Sequence, residues 1–151
     1  MASQIFKRGN RLFAAGSIGL TIVALLHGIG NLAPPPADAA LDAVVAAIRG
    51  YQIDLGLGMR PSFLDIHKSL SLTMSILLLG LGVQNLMTLR VAGDSAKLVR
   101  CLCLVNAIFV GALVVLYAMY RIPPPLVTLG VVETLFLLAL LLPRKHPQSP
   151  G

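Results

Sequence analysis

Charge is what this chain has least of. Only 12% of its 151 residues are Asp, Glu, Lys or Arg, where a soluble domain carries about 25%. Water cannot solvate most of such a surface, so lipid takes its place and an ordinary soluble domain is excluded. Cysteine is nearly absent too. Cys101 and Cys103 are too few to close a four-ligand zinc site, and a reducing compartment disfavours a disulfide between them. Their expected role is packing, with a reactive thiol as the second reading. No C-x-x-C, no H-E-x-x-H and no glycine-rich phosphate loop occurs, which removes the usual signatures of quinone-linked disulfide chemistry, zinc proteolysis and nucleotide binding.

What fills the chain instead is hydrocarbon: 56% of residues are hydrophobic, and the mean hydropathy is +0.84. Four apolar stretches run over about 12–32, 63–89, 98–120 and 126–142. Each meets the requirement of about 20 mostly apolar residues for a helix crossing a bilayer core. The expected fold is therefore all-α, a polytopic transmembrane four-helix bundle forming one membrane domain over 1–151.

The formal charge of +6 raises the question of nucleic acid, but the positions of the charges answer it. Lys7, Arg8 and Arg11 precede the first span, Arg90, Lys97 and Arg100 flank the second connection, and Arg144 and Lys145 follow the last span. On the other side Arg49, Arg60, Lys68 and Arg121 are offset by Asp38, Asp42, Asp54 and Asp65. By the positive-inside rule both termini are cytoplasmic, and the basic residues set topology rather than bind nucleic acid. Lys7, Arg8 and Arg11 with Ala37-Asp38-Ala39 also resemble a signal peptide with its cleavage site. The apolar run reaches Leu32, beyond the usual h-region of about 7–15 residues, which favours a retained anchor.

The first external connection, 33–60, opens with Pro34-Pro35-Pro36, a stiff segment that cannot continue a helix. Asp38 is placed to cap a short helix over about 38–49. Its Leu41, Val44, Val45 and Ile48 recur at helical spacing, which predicts an amphipathic helix on the membrane surface or over the bundle mouth. Gly50, Gly56 and Gly58 are expected to give flexible turns. Ser62 and Asp65 stand in the S-x-x-D relation of a capping box before the second span. The last two spans, joined by Arg121-Ile122-Pro123-Pro124-Pro125, must be antiparallel neighbours, with Pro124 or Pro125 in the first helical turn. The polar tail 143–151 is expected to be loose.

Polar residues within the spans should face the bundle interior, because an unsatisfied polar group in hydrocarbon costs several kcal/mol. Helical phase groups His27 with Asn31 and, near them, Gly16, Leu20 and Val23. It groups His67 with Ser71, Met74, Leu78 and Asn85; Asn106 with Val110, Leu113, Tyr117 and Arg121; and Glu133 with Leu126, Gly130, Leu137 and Leu140. At about 1.5 Å per residue, His27 and His67 each lie roughly 7 Å inside the outer boundary, with Tyr117 at a similar level. Arg121 lies at the rim and Glu133 near the midplane. Phase and depth together make His27, Asn31, His67, Tyr117, Arg121 and Glu133 the candidate ligand pocket. Each also has a plainer reading: Asp65 as a cap, Lys68 snorkelling to the surface, His27 bonding a neighbouring helix, and Tyr117 and Tyr120 in the aromatic belt. Glu133 is the hardest to explain structurally, since intramembrane carboxylates are costly and mark function.

The segments Leu26-His27-Gly28-Ile29-Gly30-Asn31-Leu32 and Phe63-Leu64-Asp65-Ile66-His67-Lys68-Ser69 resemble an uncharacterised family of small bacterial four-span integral membrane proteins. The likeness extends through Gly80-Leu81-Gly82-Val83-Gln84-Asn85-Leu86 and most of the chain. It implies the architecture and the bacterial inner membrane, and it transfers no activity.

Three functions fit these residues. The first is a non-enzymatic component binding a partner subunit, a further copy of itself, or an apolar molecule such as a lipid or quinone. The second is a redox subunit, in which His27 and His67 ligate one haem b and Arg121 or Arg60 meets the propionates. The third is an intramembrane enzyme in which Glu133 and a histidine act as an acid–base pair on a lipophilic substrate.

Overall fold

The computed structural model describes residues 2–34 and 37–142; Pro35 and Pro36 of the first proline triplet, and the tail at 143–151, lie outside the described residues. The elements are α1 (Ala2–Leu32), α2 (Ala39–Gly50), α3 (Phe63–Ala92), α4 (Ala96–Met119) and α5 (Pro123–Leu141). Four of them are long and apolar enough to cross a membrane, with mean hydropathies from 1.6 to 2.5. The protein is all-α and multi-pass, and lipid is its solvent.

Local chemistry sets the helix ends. Asp38 caps α2, its Oδ1 accepting from the N–H groups of Ala40 at 2.8 Å and Leu41 at 3.4 Å. At the start of α3 the capping box closes in both directions. The Asp65 N–H donates to Ser62 Oγ at 3.1 Å, while Asp65 Oδ2 accepts from the Ser62 N–H at 3.2 Å and its hydroxyl at 2.6 Å. Two backbone N–H donors that the helix leaves orphaned are satisfied there. α3 runs to Ala92, past the expected end at 89, and a tight turn with a Ser95-to-Ala92 backbone bond leads into α4. All three prolines of 123–125 sit in the first turn of α5 rather than one of them. The N–H groups they lack have no acceptor in that turn, so the helix starts three residues earlier without losing a bond.

The chain forms two compact units, residues 1–23 with 78–151 and residues 24–77. In the first unit, parts of α1, α3, α4 and α5 make a four-helix bundle. Phe13 and Phe136, both fully buried, meet with ring centroids 5.7 Å apart. The Phe136 ring fits over Gly16, where an added Cβ would lie 2.9 Å from it, and Val132 fits over Gly19 at 3.0 Å. α3 approaches α1 as closely at Gly82, whose missing Cβ would stand 2.9 Å from the Ser17 carbonyl oxygen and collide with the Thr21 hydroxyl. Asn85 and Asn106, each about 1% exposed, exchange a reciprocal pair of amide bonds at 2.8 and 3.1 Å between α3 and α4. Lipid tails are as apolar as leucine, so backbone proximity and internal polar pairs supply the attraction between such helices.

The buried stripe of α5 is Leu129, Val132, Phe136 and Ala139. It is rotated from the expected stripe through Glu133, on which Leu137 is 41% exposed. The reason is shape: Phe136 and Val132 are the α5 residues that fill the glycine notches of α1.

In the second unit α1 and α3 pack where a Cβ added at Gly28 would lie 3.6 Å from Ser75, and α2 leads into a short hairpin. Gln52 and Ser62 form an antiparallel bridge, and the N–H of Ile53 donates to the Pro61 carbonyl at 3.0 Å. The glycines at 56 and 58 therefore belong to an ordered turn rather than a flexible one.

The glycine seam yields a test. Gly82→Ala is expected to force α3 away from α1 and cost about 1–3 kcal/mol. Gly80→Ala, with nothing within 4 Å of its Cβ position, should leave stability unchanged or slightly raised. Thermal midpoints of the two variants in mild detergent distinguish the outcomes.

Candidate functional site

His27, Asn31 and His67 belong to the second unit, and Tyr117, Arg121 and Glu133 to the first. In the second unit His27 is half-buried, and its Nε2 lies 2.9 Å from the Ser71 hydroxyl of α3. Which atom donates depends on the tautomer. Asn31 donates through Nδ2 to the His27 carbonyl at 2.9 Å, and Ser75 donates to the Ser71 carbonyl at 3.2 Å. One polar contact, His27 with Ser71, thus crosses between α1 and α3 on the faces that helical phase groups, while the Asn31 and Ser75 bonds stay within their own helices. His67, one turn before Ser71, is exposed, and so is Lys68. Asp65 is the cap described above rather than a partner of His67.

The His27–Ser71 contact bears on haem. A haem iron would need an imidazole nitrogen such as His27 Nε2, which here bonds Ser71. Beside it, a Cβ added at Gly28 would lie only 3.6 Å from Ser75. Ligation at Nε2 requires that bond to open and the two helices to part by the thickness of a porphyrin. The residues between α1 and α3 do not fit haem as they stand.

In the first unit Tyr117 is half-buried near the end of α4 and Arg121 is exposed. The turn between them has a definite form. The Arg121 N–H donates to the Ala118 carbonyl at 3.2 Å and the Ile122 N–H to the Tyr117 carbonyl at 3.0 Å. This is the double bond pattern of a Schellman cap, in which the residue at C′ is usually glycine. Here that residue is Arg121, with φ at +54°. A cationic side chain stands where glycine would be easier, and such outliers point toward use.

Glu133 sits in the middle of α5 beside Gly111 of α4, where an added Cβ would lie 3.3 Å from its Oε1. Its Oε2 is buried and has no hydrogen-bond partner. The absence of a side chain at Gly111 leaves room for this carboxylate between the two helices.

Sequence reasoning missed one feature. An open groove of about 840 Å³ lies between α4 and α5, lined by Ala96, Lys97, Arg100, Cys101, Leu104, Leu140 and Leu141. Lys97 and Arg100 were legible as topology determinants, but nothing local joins them to Leu140 and Leu141, which lie some forty residues away. Among the described residues no cluster of three His, Cys, Asp or Glu side chains is placed to hold a metal ion.

No protein-family model, curated protein or solved structure matches the chain. The site must be read from its own residues.

The Arg121 turn can be tested directly. Left-handed backbone costs a non-glycine residue about 1–2 kcal/mol, so Arg121→Gly is expected to raise the thermal midpoint in detergent. A fall would mean that the guanidinium itself holds the turn.

Proposed function

We propose that the protein is a non-enzymatic binding component of the bacterial cytoplasmic membrane, whose ligand is an apolar molecule carrying a hydrogen-bond donor. The observation that carries this reading is Glu133. Its Oε2 is buried without a donor, in an environment where a bare carboxylate oxygen costs several kcal/mol. A hydroxyl or N–H group on a lipid, a quinol or a partner helix would supply what is missing. Within the unit that holds Glu133, Tyr117 and Arg121 are the further polar groups that helical phase and depth propose for the ligand. Membership of a family of small bacterial four-span proteins is part of the same reading.

Organic extraction of the purified protein followed by mass spectrometry tests the assignment. One amphiphile is expected to be enriched over bulk membrane lipid in the native protein and lost in Glu133→Gln, with the thermal midpoint retained. Identical extracts from both proteins would remove Glu133 from the site.

The proposed orientation, with both termini cytoplasmic, has its own check. Cys101 is exposed and Cys103 buried. A membrane-impermeant maleimide should therefore label one thiol per chain in inverted vesicles and none in intact cells. Labelling of intact cells would reverse the topology.

A further inference from the structure

The hairpin between α2 and α3 is more elaborately built than a connection needs to be. Its stem is held by the Gln52–Ser62 bridge, the Ile53 bond to Pro61 and a bond from the Phe63 N–H to the Tyr51 carbonyl at 2.8 Å. Nearer the tip, Leu55 donates to the Met59 carbonyl at 3.1 Å, and Met59 donates to Gly56 at 3.0 Å. Asp54 works twice. Its Oδ1 accepts from the Gly56 N–H at 2.9 Å, and its Oδ2 pairs with Arg60 across the stem at 3.2 Å. Three successive residues then take positive φ: Gly56 at 79°, Leu57 at 54° and Gly58 at 79°.

What this frame presents is apolar. Leu55 is 56% exposed, Met59 52% and Leu57 97%. Leucine at a position with positive φ is unfavourable, and its side chain gains no contact within the chain. The two neighbouring positions that share this conformation are glycine, so the turn itself asks for no side chain at 57.

We propose that the Leu55–Met59 tip is an interfacial membrane anchor that inserts Leu55, Leu57 and Met59 at the boundary between lipid headgroups and acyl chains. The occupant follows from position and charge. The stem ends at Phe63, the first residue of a membrane-spanning helix, so the tip is tethered within at most about 22 Å of that boundary. Asp54 and Arg60 neutralise each other, leaving no net charge to repel a bilayer or recruit a charged partner. Tyr51 and Phe63, 65% and 46% exposed at the base, are aromatic residues of the kind that populate the interface. α2, which leads into the stem, keeps Leu41, Val45 and Ile48 half-buried against the chain and leaves Val44 56% exposed. The tip forms a second attachment to the lipid surface beside the spans.

The chain contains no tryptophan, so a single introduced one reports its own surroundings. Leu57→Trp is reconstituted in phosphatidylcholine–phosphatidylglycerol vesicles whose acyl chains carry bromine either near the headgroup or deep. Blue-shifted emission, quenched at least twofold more strongly by shallow than by deep bromine and protected from iodide, is expected. Phe109→Trp, on the exposed flank of α4, should show the opposite depth order. Ala43→Trp, about 200° round α2 from Leu41, should stay open to iodide. Iodide quenching of Leu57→Trp without bromine quenching would overturn the anchor and leave the tip as a surface for a soluble partner. Equal bromine quenching at 43 and 57 would overturn it as well, because tryptophan's own affinity for the interface would then explain the signal.

Discussion

A helix surrounded by lipid gains little from burying leucine, because its neighbours and the solvent are alike. Everything in the bundle of the first unit follows from how the chain replaces that missing attraction. Gly16 and Gly19 open notches on α1 that Phe136 and Val132 of α5 fill, and Gly82 lets α3 come within contact of the Ser17 carbonyl. Dispersion between closely fitted surfaces is gained this way. The Asn85–Asn106 pair adds a directional lock, and it costs no exposed polarity because the two amides satisfy each other. Asn106 also donates to the Leu102 carbonyl of its own helix at 2.8 Å, so the lock is held in register from one side.

The same solvent disciplines the hydroxyls. Ser17, Thr21, Thr73, Ser75, Thr88 and Thr134 each donate to the carbonyl four residues earlier. These side chains need no partner helix and mark no site. Against that background the exceptions carry information. Among the described residues only Asn10 Oδ1 and Glu133 Oε2 are buried without a hydrogen-bond partner. Asn10 has its amide nitrogen engaged with the Gly93 carbonyl at 3.0 Å, which leaves Glu133 as the ionisable group whose hydrogen bonding the chain does not complete.

How much of this is legible in the sequence depends on range. The four spans, the Asp38 cap and the Ser62–Asp65 box come from contacts within a few residues, and hydropathy and spacing encode them. Helical phase also anticipates that His27 and Ser71 face a common seam. On α5 it locates the interior only in part, since Glu133 faces Gly111 of α4 but Leu137 on its stripe is exposed and the buried stripe is Leu129, Val132, Phe136 and Ala139. The interior is set instead by the size of Phe136 against the absence of side chains at Gly16, a match between residues 120 positions apart. The hairpin at 51–62 is hidden for a different reason. Glycine at 56 and 58 suggests looseness when read alone, and only the Asp54–Arg60 pair and the Leu55–Met59 bond turn it into a defined frame. The α4–α5 groove likewise requires knowing which helix lies beside Lys97 and Arg100.

Function in such a protein has to reside where it departs from the rules of lipid packing, because the rest of its surface is interchangeable hydrocarbon. The departures differ in kind. Glu133 is an unmet polar demand in the interior. Arg121 and Leu57, the non-glycine residues with positive φ among the described residues, are side chains retained in connections where their backbone would be easier for glycine. Glycine at either position would relax the turn without disturbing a helix, so folding alone gives no reason for arginine in one and leucine in the other. The cation suits an aqueous or headgroup neighbour and the leucine an apolar one. The two connections are thus chemically distinct, one presenting a cation and the other an apolar side chain.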